Sequence, residues 1–129
     1  MKLGPLDHVN IRTANLENMI DWYCGVLGMT VGKRPPFGFP GAWLYTGDQA
    51  AVHLIGVDNP ASGDDPRLEH FAFSASGLTS FLQTLEERQV GYRMGRVPEF
   101  DILQVNIFDP DGNHIHVDFT GPETAGHAV

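Results

Sequence analysis

The chain writes one short pattern twice. Residues 6–11 read LDHVNI and residues 68–73 read LEHFAF, each with leucine, a carboxylate, histidine and an apolar residue in succession. His8 and His70 lie 62 positions apart. A second pair recurs at an offset of 63: Val52-His53-Leu54 against Ile115-His116-Val117. Four of the six histidines thus occupy two repeat-related positions, and His114 and His127 are the remainder. Neutral imidazole is the commonest side-chain metal ligand, and three or four of them suit a divalent Zn, Ni, Fe, Mn or Co ion. In a strand, successive side chains point to opposite faces. Each histidine therefore faces away from its apolar flanks. The flanks are expected to pack on helices and the imidazoles to look into a concave side. Two half-domains related by a pseudo-twofold axis would bring equivalent imidazoles towards that axis.

The elements that must carry these residues also occur twice. Leu6–Arg12 alternates with period 2 and predicts a strand. Asn15 offers an N-cap, Leu16, Met19, Ile20, Tyr23 and Leu27 follow at helical spacing, and Gly28 ends the helix. MTVGKR predicts a strand, PPFGFPG (35–41) a loop that is a plain connector or, as the less favoured alternative, a cover over the pocket mouth, and AWLYT with AAVHLIG a hairpin around Gly47-Asp48. Residues 57–66, VDNPASGDDP, predict a surface linker. The order then restarts. RLEHFAFS predicts a strand, and Leu78, Phe81, Leu82 and Leu85 mark a helix capped by Ser76 and ended at Gly91. YRMGRV is a further strand, and ILQVNIF with NHIHVDF forms a hairpin around Asp109-Pro110-Asp111-Gly112. Each half spells β-α-β-β-β, so the chain predicts an α+β domain over 1–129. It is built from repeat modules at about 5–57 and 67–119, with a frayed tail at 120–129.

Parity places further polar groups beside the histidines: Asn10 and Arg12 after His8, Gln104 and Asn106 on the seventh strand, and His114 and Asp118 around His116. Such groups are costly on a dry sheet face and fit a solvated or ligand-filled one. Trp43 and Tyr45 are candidates to shape a substrate pocket. With 16 acidic and 8 basic residues the net charge is −8, which disfavours a nucleic-acid binder. No apolar run approaches the roughly 20 residues of a membrane span, and MKLGPLDHVN lacks the apolar core of a signal peptide. The lone Cys24 excludes an internal disulfide framework and fits a reducing, cytoplasmic setting.

These residues together resemble the vicinal oxygen chelate superfamily, which includes glyoxalase I, extradiol dioxygenases and bleomycin-resistance proteins. LDHVNIRTANLENMIDWYCGVLGM looks like the family's opening strand and helix, LEHFAFS its mid-chain strand, and FDPDGNHIHVDF its closing hairpin. The resemblance runs from about residue 5 to residue 119. It implies paired βαβββ modules forming a curved mixed sheet around an open cavity, usually in a homodimer. It also implies a divalent metal, with His8 and His70 at the first and third ligand positions. His53 and His116 stand where family members carry glutamates. Imidazole in place of carboxylate would leave a bound ion with more positive charge and sharper Lewis acidity. His53 is then a fourth ligand or the catalytic base, and Arg12 resembles an arginine that some glyoxalases set against a substrate carboxylate.

Two functions follow. The first is a metal-dependent enzyme, an isomerase, lyase or dioxygenase, acting on a small substrate chelated through its oxygens. His8, His70, His116 and His53 would hold the ion, with Arg12, Asn10, Trp43, Tyr45, Gln104, Asn106 and Asp118 around the substrate. The alternative is a metal-free drug-binding protein that sequesters a cation in an acidic, aromatic-lined groove. The net charge and Trp43 fit that role, which needs none of the four histidines.

Overall fold

A computed structural model describes residues 1–3, 5–60, 63 and 66–127. Its contacts divide the chain into two compact units, 1–63 and 64–129. Each unit is one β-α-β-β-β module with its own four-stranded mixed sheet. The first holds β1 (Val9–Thr13), α1 (Leu16–Leu27), β2 (Thr30–Gly32), β3 (Gly41–Thr46) and β4 (Gln49–Gly56), in sheet order β1-β4-β3-β2. The second holds β5 (His70–Ser74), α2 (Leu78–Glu87), β6 (Arg93–Val97), β7 (Ile102–Phe108) and β8 (His114–Thr120), in order β5-β8-β7-β6. The first and last strands of each module pair parallel, which requires the intervening helix as a crossover, and the other pairs are antiparallel. The register repeats as well: Asn10 lies opposite His53, and Ala72 opposite His116.

Alternation decides which face each sheet buries. Ala42 and Leu44 on β3 and Val52 and Leu54 on β4 are buried, together with Met19, Tyr23 and Val26 of α1. In the second module Leu103, Val105 and Ile107 alternate along β7, and Ile115, Val117 and Phe119 along β8. Leu78 and Leu85 of α2 are buried, and Phe81 lies 5.8 Å from Phe119, ring to ring. The interleaved positions, Trp43, His53, Gln104, Asn106, His114, His116 and Asp118, form the opposite, polar faces. Gly28 ends α1 at φ 69°, and the N–H groups of Gly28 and Met29 return to the Tyr23 carbonyl.

Three local expectations give way to longer-range contacts. Asn15 stands at the N-cap of α1 without a side-chain capping bond. Helix α2 is capped at Gly77, φ 89°, rather than Ser76, and it stops at Glu87 with Arg88 as its C-cap, short of Gly91. The acceptor for its first N–H groups comes from far along the chain: Glu123 Oε2 accepts from both Gly77 and Leu78 at 2.9 Å. A carboxylate at a helix N-terminus satisfies orphan donors and complements the dipole. Glu123→Ala is therefore expected to destabilise the protein by about 0.5–2 kcal/mol, read as a lowered urea midpoint with an unchanged slope.

The described residues of the expected tail, 120–127, are ordered by local contacts. Pro122–Thr124 form a 3-10 turn, Thr124 is buried, and Arg96 donates to the carbonyls of Thr124 and His127. Residues 128 and 129 of that expected tail, and 61, 62, 64 and 65 of the expected linker, lie outside the described residues. Among the described residues, no helix is long and apolar enough to cross a membrane.

Candidate metal centre and pocket

Each module sets a buried imidazole beside a more open one. In the first, His8 precedes β1 and stacks on His53 of β4, with ring centroids 3.9 Å apart and planes 10° from parallel. His53 stacks equally closely on Trp43, its cross-strand partner on β3. His53 is thus sandwiched and only 9% exposed, whereas the His8 side chain is 39% exposed. In the second module His70, at the start of β5, lies 4.4 Å from His116 and 5.3 Å from His114, ring to ring. His116 is 7% exposed and the His70 side chain 42% exposed.

Three of these four predicted ligands already have one ring nitrogen held by a carboxylate. His8 Nδ1 donates to Asp7 Oδ2 at 2.6 Å, His116 Nδ1 donates to Asp118 Oδ1 at 2.6 Å, and His70 Nδ1 donates to the Glu69 carboxylate. The remaining nitrogen of each ring is then a lone pair. A hydrogen bond to one nitrogen selects the tautomer and turns the other into a ligand, as in carboxylate–histidine–metal arrangements. The doubled sequence pattern now has its reason. The carboxylate before each histidine, Asp7 or Glu69, is the group that orients it. Gln49 steadies Asp7 in turn, its Nε2 donating to the Asp7 backbone at 2.7 Å and to the carboxylate at 3.2 Å. The bond from His8 holds the Asp7 carboxyl below the usual carboxylate range, and the bond from His70 does the same for Glu69.

His114 is a residue that sequence reasoning left without a role. It lies directly across from His70, and Glu69, His70 and His114 offer ligand atoms all within 4.8 Å of one another. Asn106 donates from Nδ2 to the Arg93 carbonyl, which leaves its Oδ1 to accept from His114 Nε2 at 2.9 Å. His114 Nδ1 in turn lies 3.2 Å from a Glu69 carboxylate oxygen. The donor set of imidazoles and one carboxylate fits a divalent transition metal by ligand type.

The other predicted site residues divide by what they touch. Asn10, Trp43 and His53 line a pocket of about 120 Å³ with Arg34, Phe37 and Phe39. Arg12 is exposed on β1 and outside the pocket lining, and Tyr45 donates its hydroxyl to the Lys33 carbonyl. Gln104 sits across from Asp118 on the polar face of β7. Asn106 and Asp118 are engaged with His114 and His116. The loop 35–41, for which a plain connector was the favoured reading over a cover for the pocket mouth, contributes Phe37 and Phe39 to the pocket. The aromatic spacing in PPFGFPG was the available signal.

Burial, and next the neighbouring His8, hold the His53 pKa below its ordinary 6.5. A depressed folded-state value means that the unfolded chain takes up the proton first. The stabilisation is then complete above pH ~6.5 and is lost as pH falls through the lower folded-state value. Urea midpoints of metal-free protein are expected to drop from pH 7.5 towards pH 5, with a shallower fall in His53→Phe. An equal fall in both would assign the acid sensitivity elsewhere.

Residues 5–117 match the family profile described as Glyoxalase/Bleomycin resistance protein/Dioxygenase superfamily. The chain is 28% identical over 125 residues to "Glyoxylase I 4" of Arabidopsis thaliana, covering 91% of this chain and 71% of that protein. It is 30% identical over 118 residues to a manganese-dependent 2,3-dihydroxybiphenyl 1,2-dioxygenase of Geobacillus genomosp. 3. That match covers 84% of this chain and only 37% of that protein. Among solved structures, a glyoxylase/bleomycin resistance protein/dioxygenase domain from Frankia sp. EAN1pec superposes with TM-score 0.75 at 17% identity. It covers 98% of this chain and 96% of that one, a likeness of fold.

Proposed function

Because the chain belongs to the Glyoxalase/Bleomycin resistance protein/Dioxygenase superfamily, we propose that it is a divalent-metal-dependent enzyme acting on a small substrate through neighbouring oxygens, as a lyase, isomerase or dioxygenase. The repeat-related imidazoles, His8 with His53 in the first module and His70 with His116 in the second, serve as metal ligands, and Glu69 and His114 extend the donor set of the second module. One observation carries this reading. Three of the four imidazoles, those of His8, His70 and His116, have Nδ1 tied to a carboxylate, so each presents a directed lone pair on its other nitrogen. A surface histidine has no need of such a partner.

A divalent ion held there would supply Lewis acidity towards charge developing on a substrate oxygen. The chain's own groups do the rest. His53 stays neutral at physiological pH because burial holds its pKa down, so it can ligate or take up a proton at the pocket wall. Trp43 fixes the plane of His53 by stacking. Asn106 and Asp118 position imidazoles, while Asn10 and Trp43 face the substrate. Arg12 remains free for an anionic end of the substrate, and Tyr45 and Gln104 border the same faces. Assembly as a homodimer belongs to the same proposal. The pocket's own cation, Arg34, argues against the alternative role of sequestering a cationic drug.

Protein purified without a polyhistidine tag, stripped with chelator and titrated calorimetrically with Mn, Fe(II), Co, Ni and Zn tests the reading. Stoichiometric binding of at least one ion is expected. A chain that takes up none of them, yet binds organic cations tightly, would reverse the assignment.

A further inference from the structure

The loop between β2 and β3 folds into a structure that the metal chemistry does not require. Phe37 and Phe39 stack on one another with centroids 5.0 Å apart and planes 11° from parallel. The Arg34 guanidinium carbon sits 5.0 Å from one ring centroid and 5.1 Å from the other. Its Nη2 donates to the Phe39 carbonyl at 2.9 Å, which pins the loop and the arginine together. Gly41 makes room for this. A Cβ there would lie 2.8 Å from Arg34 Nη2 and 2.3 Å from the Leu54 carbonyl oxygen. The indole of Trp43 lies 6.5 Å from Phe37, and on its far side it stacks on His53.

Arg34 is a half-buried cation in a chain of net charge −8, yet it forms no ion pair among the described residues. A guanidinium has five N–H donors in a planar fork, and among the described residues one of these finds an acceptor. The rest point to a missing acceptor. Phe37, Phe39, Trp43 and His53 line most of the remaining wall, beside Asn10, Leu54 and Ile55, and aromatic walls favour a flat apolar body in stacked or edge contact. Size narrows the occupant further. A pocket of about 120 Å³ is of the same order as the ~150 Å³ of an engineered cavity that accepts benzene, which limits the occupant to no more than a single ring.

We propose that this pocket binds a monocyclic aromatic acid, its anionic oxygens forked by Arg34 and its ring held against Phe37 and Trp43. The pocket shares His53 with the proposed metal centre, so the inference rests on that reading for its meaning as substrate recognition. The contacts themselves need no metal. A substrate bound here would carry its ring in the aromatic cage and present its far substituents along the Trp43–His53 wall.

The test uses the chelator-stripped full chain in a Trp22→Phe background, so that fluorescence reports Trp43. Benzoate, cyclohexanecarboxylate, benzylamine and benzamide are titrated separately, with saturation-transfer NMR as a second readout. Benzoate is expected to bind saturably, about ten-fold or more tighter than the non-aromatic acid or the cationic amine. Arg34→Met should cost benzoate about ten-fold or more and change benzamide by about three-fold or less, with Arg34→Lys between. Circular dichroism matching the parent confirms that each variant is folded. Benzylamine binding as well as benzoate, Arg34→Met leaving benzoate affinity unchanged, or no saturation by benzoate in either readout would overturn the proposal. Because no metal is present, failure here leaves the metal centre standing, and failure of metal binding leaves this pocket standing.

Discussion

His70→Ala is expected to lower the affinity for the preferred divalent ion by at least ~100-fold, beyond the 10–100-fold that loss of an outer-shell partner typically costs. His70 is the imidazole that touches both others in its module, and it shares the Glu69 carboxylate with His114. Its removal takes away a lone pair and also frees Glu69 to rotate into solvent. The fold should hardly notice. His70 is an exposed residue, and substitutions at such places usually move stability by no more than about 0.5 kcal/mol. Competition against a chromophoric chelator measures the first effect, and a thermal melt of the metal-free protein checks the second. An affinity unchanged from the parent would show that the second module's imidazoles are not ligands. A collapse of the apo melt would show that His70 is chiefly structural.

Asp118→Ala should produce the next largest change. It removes the carboxylate that holds Nδ1 of His116, whose ring is 7% exposed and whose N–H has no water to turn to. Leaving a buried donor unpaired costs about 1–3 kcal/mol, so here stability and metal affinity fall together. The affinity loss should be about 10–100-fold. Asp118→Asn separates the two effects. Its amide oxygen can still accept from Nδ1, so most of the stability returns. The negative charge that raises the basicity of the imidazole does not return, so metal binding stays weakened. Equal recovery of both properties would reduce Asp118 to a packing partner with no part in tuning His116.

Much of the site was legible in the chain because its logic is local. The spacing of His8, His53, His70 and His116 follows from a repeated module, and the polar face of β8 follows from strict alternation through His114, His116 and Asp118. What escaped notice lies one step outside those patterns. Asp7 and Glu69 were visible as part of the doubled motif, yet period 2 assigns them to the face opposite their histidines. They orient those imidazoles because His8 lies just before β1 and His70 at the first residue of β5, where side chains of adjacent residues can meet. His114 lacked a counterpart in the first module, where the repeat-equivalent position is Ala51, so an argument from repetition passed over it.

By itself the sequence determined the two β-α-β-β-β modules, the faces that each strand buries and the four imidazoles set on the polar sides. All of these follow from hydrophobic periodicity and turn chemistry between near neighbours. Only the tertiary structure decided that Glu123 caps α2, that Arg96 ties down residues 124–127, that His114 sits between Asn106 and Glu69, and that Arg34 nests against Phe37 and Phe39. Each of these depends on where a long side chain ends once separate segments have closed on one another. No local pattern encodes the direction of a guanidinium or a carboxylate at the end of several rotatable bonds, and in this protein that direction is what separates a polar sheet face from a binding site.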